Sequence, residues 1–325
     1  MTGSDSKPKV GRSSPVRPRF LSRRIVLRGL GASIATGALV GSYGVASAGL
    51  GHKVTQYALT PPRWPKNFKL RIAVITDLHA CEPWMGAARI ADIVSETNAL
   101  GADLVLLLGD YAAGRGLKKF TTEPMPDYVW ASALAKLRAP LGVHAVLGNH
   151  DWWSDIAAVR ARKGPPAAQR ALLEAGIPVY ENKSVRLVHG GQAFWLAGLG
   201  DQWAFYGRRS QAADGSFLRY SGVDDLDGTL AQVSGDAPVI LMAHEPDIFP
   251  GVPARVSLTL SGHTHGGQIQ VAGFAPVVPS RFGRRYRYGH IIENGRDLIV
   301  SSGLGCGGIP VRIGAPPEIV LVTLG

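Results

Sequence analysis

Five short blocks of this sequence collect side chains that could do chemistry together: Asp77-Leu78-His79, Gly109-Asp110, Gly148-Asn149-His150-Asp151, His244, and Gly262-His263-Thr264-His265. Imidazole, carboxylate and amide oxygen in one set suit Mn, Fe or Zn better than Mg or Ca, which prefer oxygen alone. In Asp77-x-His79 and His263-x-His265, alternate residues of an extended chain point to one side, so each pair can face one ion. Seven such ligands are too many for one tetrahedral ion but enough for two ions sharing a bridging carboxylate. Two ions roughly 3.5–4 Å apart clamp the attacking and leaving oxygens of an in-line displacement at phosphorus.

The elements that must hold these blocks are equally regular. Apolar runs at 70–75, 104–108, 143–147, 239–242 and 256–260 precede them in turn, with the lengths and composition of strands buried on both faces. The blocks therefore stand at the carboxyl ends of five strands, the edge where open α/β sheets bind ligands. Asp and Asn commonly open turns after strands, yet five ends rich in imidazole and carboxylate exceed what turns require. Helical spacing at 87–100, 131–137 and 167–175, and further strand-like runs at 185–188, 193–196, 298–300 and 319–322, complete an α/β pattern. No internal repeat is present, and nothing between 60 and 325 reads as a linker.

In this order the blocks resemble the calcineurin-like metallophosphoesterase superfamily. Residues 262–268 (Gly-His-Thr-His-Gly-Gly-Gln) and the tail 310–318 (Pro-Val-Arg-Ile-Gly-Ala-Pro-Pro-Glu) are similar to a bacterial, twin-arginine-exported branch of it. The resemblance implies a four-layer α/β/β/α sandwich over residues 67–325. It implies that Asp77, His79 and His265 hold a first divalent ion, that Asp110 bridges, and that Asn149, His244 and His263 complete the second. His150 would bind no metal; it would stabilise or protonate the leaving oxygen while a metal-bridging hydroxide attacks. The expected activity is phosphodiester hydrolysis, with phosphomonoester or pyrophosphate cleavage as variants. One departure matters: many relatives have an Asp three residues after the bridging one to orient the catalytic His, and this chain has Ala113. Asp151 or Asp201 is expected to replace it, unless His150 is less well oriented.

Charge placement reads as an address. Of the formal +11, a net +7 lies in residues 1–28, where eight Lys and Arg face only Asp5. Residues 29–48 then carry no charge and end in Ala46-Ser47-Ala48, and Ser22-Arg23-Arg24 precedes them. This is the layout of a twin-arginine signal peptide, 1–48, followed by a linker, 49–66. Export to the periplasm or cell envelope follows, with the twin-arginine machinery as a partner. An uncleaved anchor is the alternative.

What remains carries a net charge of only +4, so nucleic acid is a disfavoured partner. A small-molecule or lipid-linked phosphoester is the favoured substrate, and peripheral membrane contact is compatible with it. An extracellular nuclease or nucleotide phosphodiesterase is the alternative enzyme, and a non-catalytic binding protein on the same scaffold the alternative class. Among weaker signals, His144 reads as structural; His52, His189 and His290 lie outside the blocks. Trp152-Trp153 reads equally as pocket wall and as core. Residues 281–288, with four Arg and three aromatics, read as an exposed hairpin rather than a phosphate grip. Cys81 and Cys306 read as two buried free thiols rather than a disulfide.

Overall fold

The computed structural model describes residues 39, 41–49, 51–114, 116–122, 125–211 and 217–325, and the fold below is that of residues 42–325. The twin-arginine motif and most of the uncharged stretch after it lie outside the described residues. Residues 41–49 are helical. Ala48, where cleavage is expected, is buried, and its carbonyl accepts a 2.6 Å bond from Arg89 Nη1.

Two sheets form the centre. The first has the order β1 (Lys53–Leu59), β13 (Glu318–Leu324), β2 (Leu70–Ile75), β3 (Leu104–Leu107), β4 (Val143–Ala145). The second runs β11 (Gly289–Glu293), β12 (Arg296–Val300), β10 (Leu258–Ser261), β9 (Val239–Met242), β6 (Gln192–Gly198), β5 (Lys183–His189). A small hairpin, β7 (Phe205–Gln211) with β8 (Phe217–Ser221), stands apart from both.

Strand periodicity explains the layering. Leu70, Ile72 and Val74 face the second sheet and meet Phe194, Leu196, Ile240, Met242 and Leu260. The alternate residues Ala73 and Ile75 turn outward onto helices α1 (Ala87–Ala99), α2 (Asp127–Leu134) and α5 (Ala167–Glu174), through Ile90, Ile93, Trp130 and Leu172. On the far side, Val239, Leu241, Leu298 and Val300 of the second sheet pack on Phe249, Tyr286 and α6 (Leu226–Ala231). The result is the four-layer α/β/β/α sandwich. The β2–β3–β4 and β6–β9–β10–β12 pairings are all parallel, so their carboxyl ends share one edge in each sheet.

Residues 49–66, expected to be a linker, contain β1, which pairs in parallel with β13 from Lys53↔Glu318 to Leu59↔Leu324. Its mixed, half-exposed residues suit an edge strand and give no continuous apolar run. Among the described residues no helix is long and apolar enough to cross a membrane.

Candidate metal centre

The strand ends bring their blocks together. Asp77 and His79 follow β2, Asp110 follows β3, Asn149 and His150 open α3 (Asn149–Trp153) after β4, His244 follows β9, and His263 and His265 follow β10. Asp77, His79, Asp110, Asn149, His244, His263 and His265 are all buried. The backbone turns sharply to achieve this: Asp77, His79, Asp110, His263 and His265 have φ of 55°, 49°, 57°, 68° and 52°, a left-handed conformation that non-glycine residues rarely adopt. Cross-sheet bonds lock the edges, as Asp77 accepts from His263 N at 3.0 Å and His244 Nδ1 lies 2.6 Å from Leu108 O.

Two ligand groups emerge, and His150 joins His79 and Asp110 in a third that overlaps both. Asp77, His79 and His265 form one: His79 Nε2 is 3.0 Å from His265 Nε2, and His265 Nε2 is 3.5 Å from Asp77 Oδ1. Asp110, His244 and His263 form the other: His244 Nε2 is 3.3 Å from both Asp110 Oδ2 and His263 Nδ1. Asp110 Oδ2 also lies 3.5 Å from His79 Nε2, so this carboxylate stands between the groups. Backbone carbonyls orient the rings: with the Nδ1–H groups of His79 and His244 directed at Ala112 O and Leu108 O, Nε2 is the nitrogen each ring turns to the site, a lone pair in neutral His79 and a proton to be given up on ligation in His244. Asn149 Oδ1 is buried without a hydrogen-bond partner among the described residues, as an amide oxygen intended for a cation would be. The donor set of imidazole nitrogen, carboxylate and amide oxygen fits divalent transition metals.

Electrostatics bear the mark of this crowding. Burial pushes His79 down to about 3 and Asp77 up to about 6. Burial, then the neighbouring His244, holds His263 well below its ordinary value; burial and His79 do the same for His265. His244 goes the other way: burial opposes its charge, but the Asp110 carboxylate raises it well above normal. Asp110, despite burial, is held well below the carboxylate range by His244 and His150. His244 and Asp110 are thus held as an imidazolium–carboxylate pair among imidazoles whose charging burial opposes.

His150 lies beside the ligands, its ring 4.9 Å from those of His79 and Trp153, and burial lowers its pKa. Neither carboxylate expected to orient it does so. Asp151 accepts from the backbone nitrogens of Gly148, Asp110, Tyr111 and Ala112 at 2.9–3.1 Å, which fixes the β3 and β4 turns. Asp201 is buried beside Glu245, whose charge helps push its carboxyl well above the usual range after burial itself. The ring rests instead against Gly114, where a Cβ would lie 2.3 Å from His150 Cε1. Missing side chain, not hydrogen bond, places this histidine.

Several contributors carried no signal in the sequence. A cavity of about 490 Å³ opens over Asp110, Asn149, His150, His263 and His265, walled by Trp153, Trp203 and Tyr220 and by Ile269, Val277 and Ile309. Trp203 stacks on Tyr220 at 4.7 Å and meets His263 edge-on at 4.6 Å. A second cleft of about 240 Å³ reaches His150 and Trp153 from the side of Gly114 and Lys118. Arg312, fully buried, lies with Nη2 3.1 Å from His265 Nδ1.

The weaker signals resolve individually. Trp152 is core, packed on Phe205, whereas Trp153 faces the cavity. His144 bonds Tyr180 Oη and Leu141 O at 2.8 Å each, as a structural histidine should. Residues 281–288 form a turn-rich loop, not the expected hairpin, because Tyr286 is buried and bonded to Glu293 while Arg285 pairs with Glu293 at 2.7 Å. Cys81 and Cys306 are free and buried.

Comparison with known proteins places this geometry. The family model for calcineurin-like phosphoesterases matches residues 70–267. The uncharacterized metallophosphoesterase YkuE of Bacillus subtilis is 28% identical over 94% of this chain and 98% of its own. An uncharacterized metallophosphoesterase of Aquifex aeolicus is 29% identical over 84% of this chain and 91% of its own. Among solved structures, a dimetal phosphatase from Danio rerio aligns at a TM-score of 0.40 and 14% identity, over 72% of this chain and 88% of that one.

Proposed function

Because this chain belongs to the calcineurin-like phosphoesterase family and is a metal-dependent phosphoesterase, we propose that it hydrolyses phosphodiesters with two divalent ions, on a substrate carrying an apolar group. The observation that carries the reading is the pair of ligand groups joined by Asp110. Asp77, His79 and His265 would hold one ion, Asn149, His244 and His263 the other, and Asp110 both. Ions bound there supply Lewis-acid polarisation of the phosphoryl oxygens and a nucleophile at neutral pH.

The chain's own groups do the rest. His150, directly beside the ligands, protonates or stabilises the departing oxygen; the charge of an arriving phosphate favours its protonated form against the burial that lowers it. Trp153, between the two clefts that reach His150, separates space for two substituents on phosphorus, which favours a diester over a monoester. The apolar wall of the larger cleft suits a lipid-linked or cell-envelope substrate better than a nucleic-acid strand. Seven ligand-type residues together argue against a binding protein that has lost catalysis. The basic segment with Arg23-Arg24 supports export by the twin-arginine pathway to the periplasm or envelope; Arg23→Lys with Arg24→Lys should leave the protein in the cytoplasm on fractionation.

Metal-depleted protein reloaded with Mn, Fe or Zn tests the chemistry. Two ions per chain and faster turnover of a bis-aryl than a mono-aryl phosphate are expected. No turnover of either with any of these metals would overturn the reading.

A further inference from the structure

The loop joining the last ligand block to β11 exposes apolar surface that packing does not explain. Val271 and Phe274 are 68% and 52% exposed, and Val277 is 74% exposed although it also lines the cavity over the metal centre. The stretch is held in shape: Val271 and Phe274 exchange backbone bonds of 2.9 Å, Arg287 Nη1 donates to Gly273 O at 2.9 Å, and Arg284 lies 4.7 Å over the Phe274 ring. These apolar tips are therefore presented, not frayed. Between Asp247 and Glu293 the sequence contains no acidic residue at all, and exposed Arg284 lies over the tip residue Phe274, whereas Arg281, also exposed, faces Asp247 and Asp224.

We propose that residues 271–284 are a membrane-docking edge whose occupant is an anionic lipid bilayer. Val271, Phe274 and Val277 enter the boundary between headgroups and acyl chains, and Arg284 lies among the lipid phosphates. Apolar tips flanked by arginines are the pattern that anchors a protein in the interfacial plane, where buried apolar area and basic charge add. Continuity is what singles out this surface. Val277 belongs both to the exposed tip and to the cavity wall, so a docked protein opens its cavity onto the lipid. A phosphoester with an acyl tail would then reach the centre without crossing water; this last step rests on the phosphoesterase reading, whereas the docking itself does not.

The test uses the full chain and vesicles of phosphatidylcholine with or without phosphatidylglycerol. Because the basic residues of 1–28 can themselves attract anionic vesicles, a position-specific readout decides. Phe274→Cys labelled with an environment-sensitive fluorophore should shift blue and be quenched by brominated acyl chains on phosphatidylglycerol vesicles only. The buried native thiols leave that label selective. Val271→Ser with Phe274→Ser should weaken vesicle binding at least tenfold, while turnover of a soluble aryl phosphate and melting temperature stay unchanged. Added salt should weaken wild-type binding by screening Arg284. An unshifted, unquenched label on vesicles that nonetheless pellet the protein overturns the proposal, as does a double variant that binds like wild type. Loss of soluble turnover in the wild type would count against the phosphoesterase reading and leave the docking result standing.

Discussion

Replacing Gly114 by alanine should cost about as much catalysis as misplacing the histidine it supports. A Cβ at this position would lie 2.3 Å from His150 Cε1 and 2.5 Å from Nδ1, whereas ordinary contact begins near 3.4 Å. The backbone there is open to alanine, since Gly114 is not among the residues with positive φ. The imidazole must therefore retreat by about 1 Å, with Trp153 and His79 close on its other sides. A displacement of about 1 Å can cost roughly 100-fold, and general acid catalysis contributes about 10²–10⁴-fold. Gly114→Ala should accordingly lower kcat on a bis-aryl phosphate by about 100-fold, or about 2.7 kcal/mol of barrier. Metal affinity by calorimetry should be unchanged, because the three atoms nearest the new methyl all belong to His150. The decisive comparison is the double variant Gly114→Ala, His150→Ala, which should be no slower than His150→Ala alone, as both changes remove one function. Wild-type kcat in Gly114→Ala, or losses that multiply in the double variant, would refute placement by packing.

Two further outcomes follow from buried charge. Asp201 sits beside Glu245 with its carboxyl raised well above the ordinary aspartate value, by burial first and then by Glu245. A raised acid keeps its proton in the folded state and releases it in the unfolded one, so its contribution is full below the unfolded pKa, near 3.9, and is lost as pH climbs toward the raised value. Melting temperature followed against pH should therefore fall on the alkaline side in the wild type and fall less in Asp201→Asn; identical profiles would remove this pair as the cause. Arg312 donates to the carbonyls of Ser302, Ala315 and Gly305 at 2.7–2.9 Å from a fully buried position. Arg312→Met should leave them unpaired and cost at least about 3 kcal/mol by denaturant titration, and an unchanged midpoint would show that the guanidinium holds nothing.

The clustering of the candidate ligands was legible because each follows an apolar strand, and parallel strands deliver their ends to a common edge. Asp77, Asp110, His244 and His263 needed no knowledge of distant contacts to be assigned to one centre. β1 was not legible, since a half-exposed edge strand such as Lys53–Leu59 has no pattern of its own and exists through its pairing with β13. The orientation of His150 was missed for a related reason. The sequence showed an absent carboxylate at Ala113, but the substitute is an absent Cβ one residue later, visible only when His150 is set against it. Asp151, adjacent to His150, was expected to orient it, yet four backbone nitrogens claim the carboxylate. Trp203, Tyr220 and Ile309 reach the cavity from segments far apart in the chain, and nothing local distinguishes them from core residues.

The left-handed backbone at five ligand positions sets a conflict between persistence and activity. Each non-glycine residue so placed costs roughly 1–2 kcal/mol, somewhat less for Asp and His, which tolerate the region better than most. Five of them approach the entire net stability of an ordinary domain, about 5–15 kcal/mol. Glycine at Asp77, His79, Asp110, His263 or His265 would relieve that strain and erase the centre in the same stroke. Variants chosen for heat resistance alone would thus drift toward a stable, inert sandwich, and only selection on turnover keeps these positions occupied.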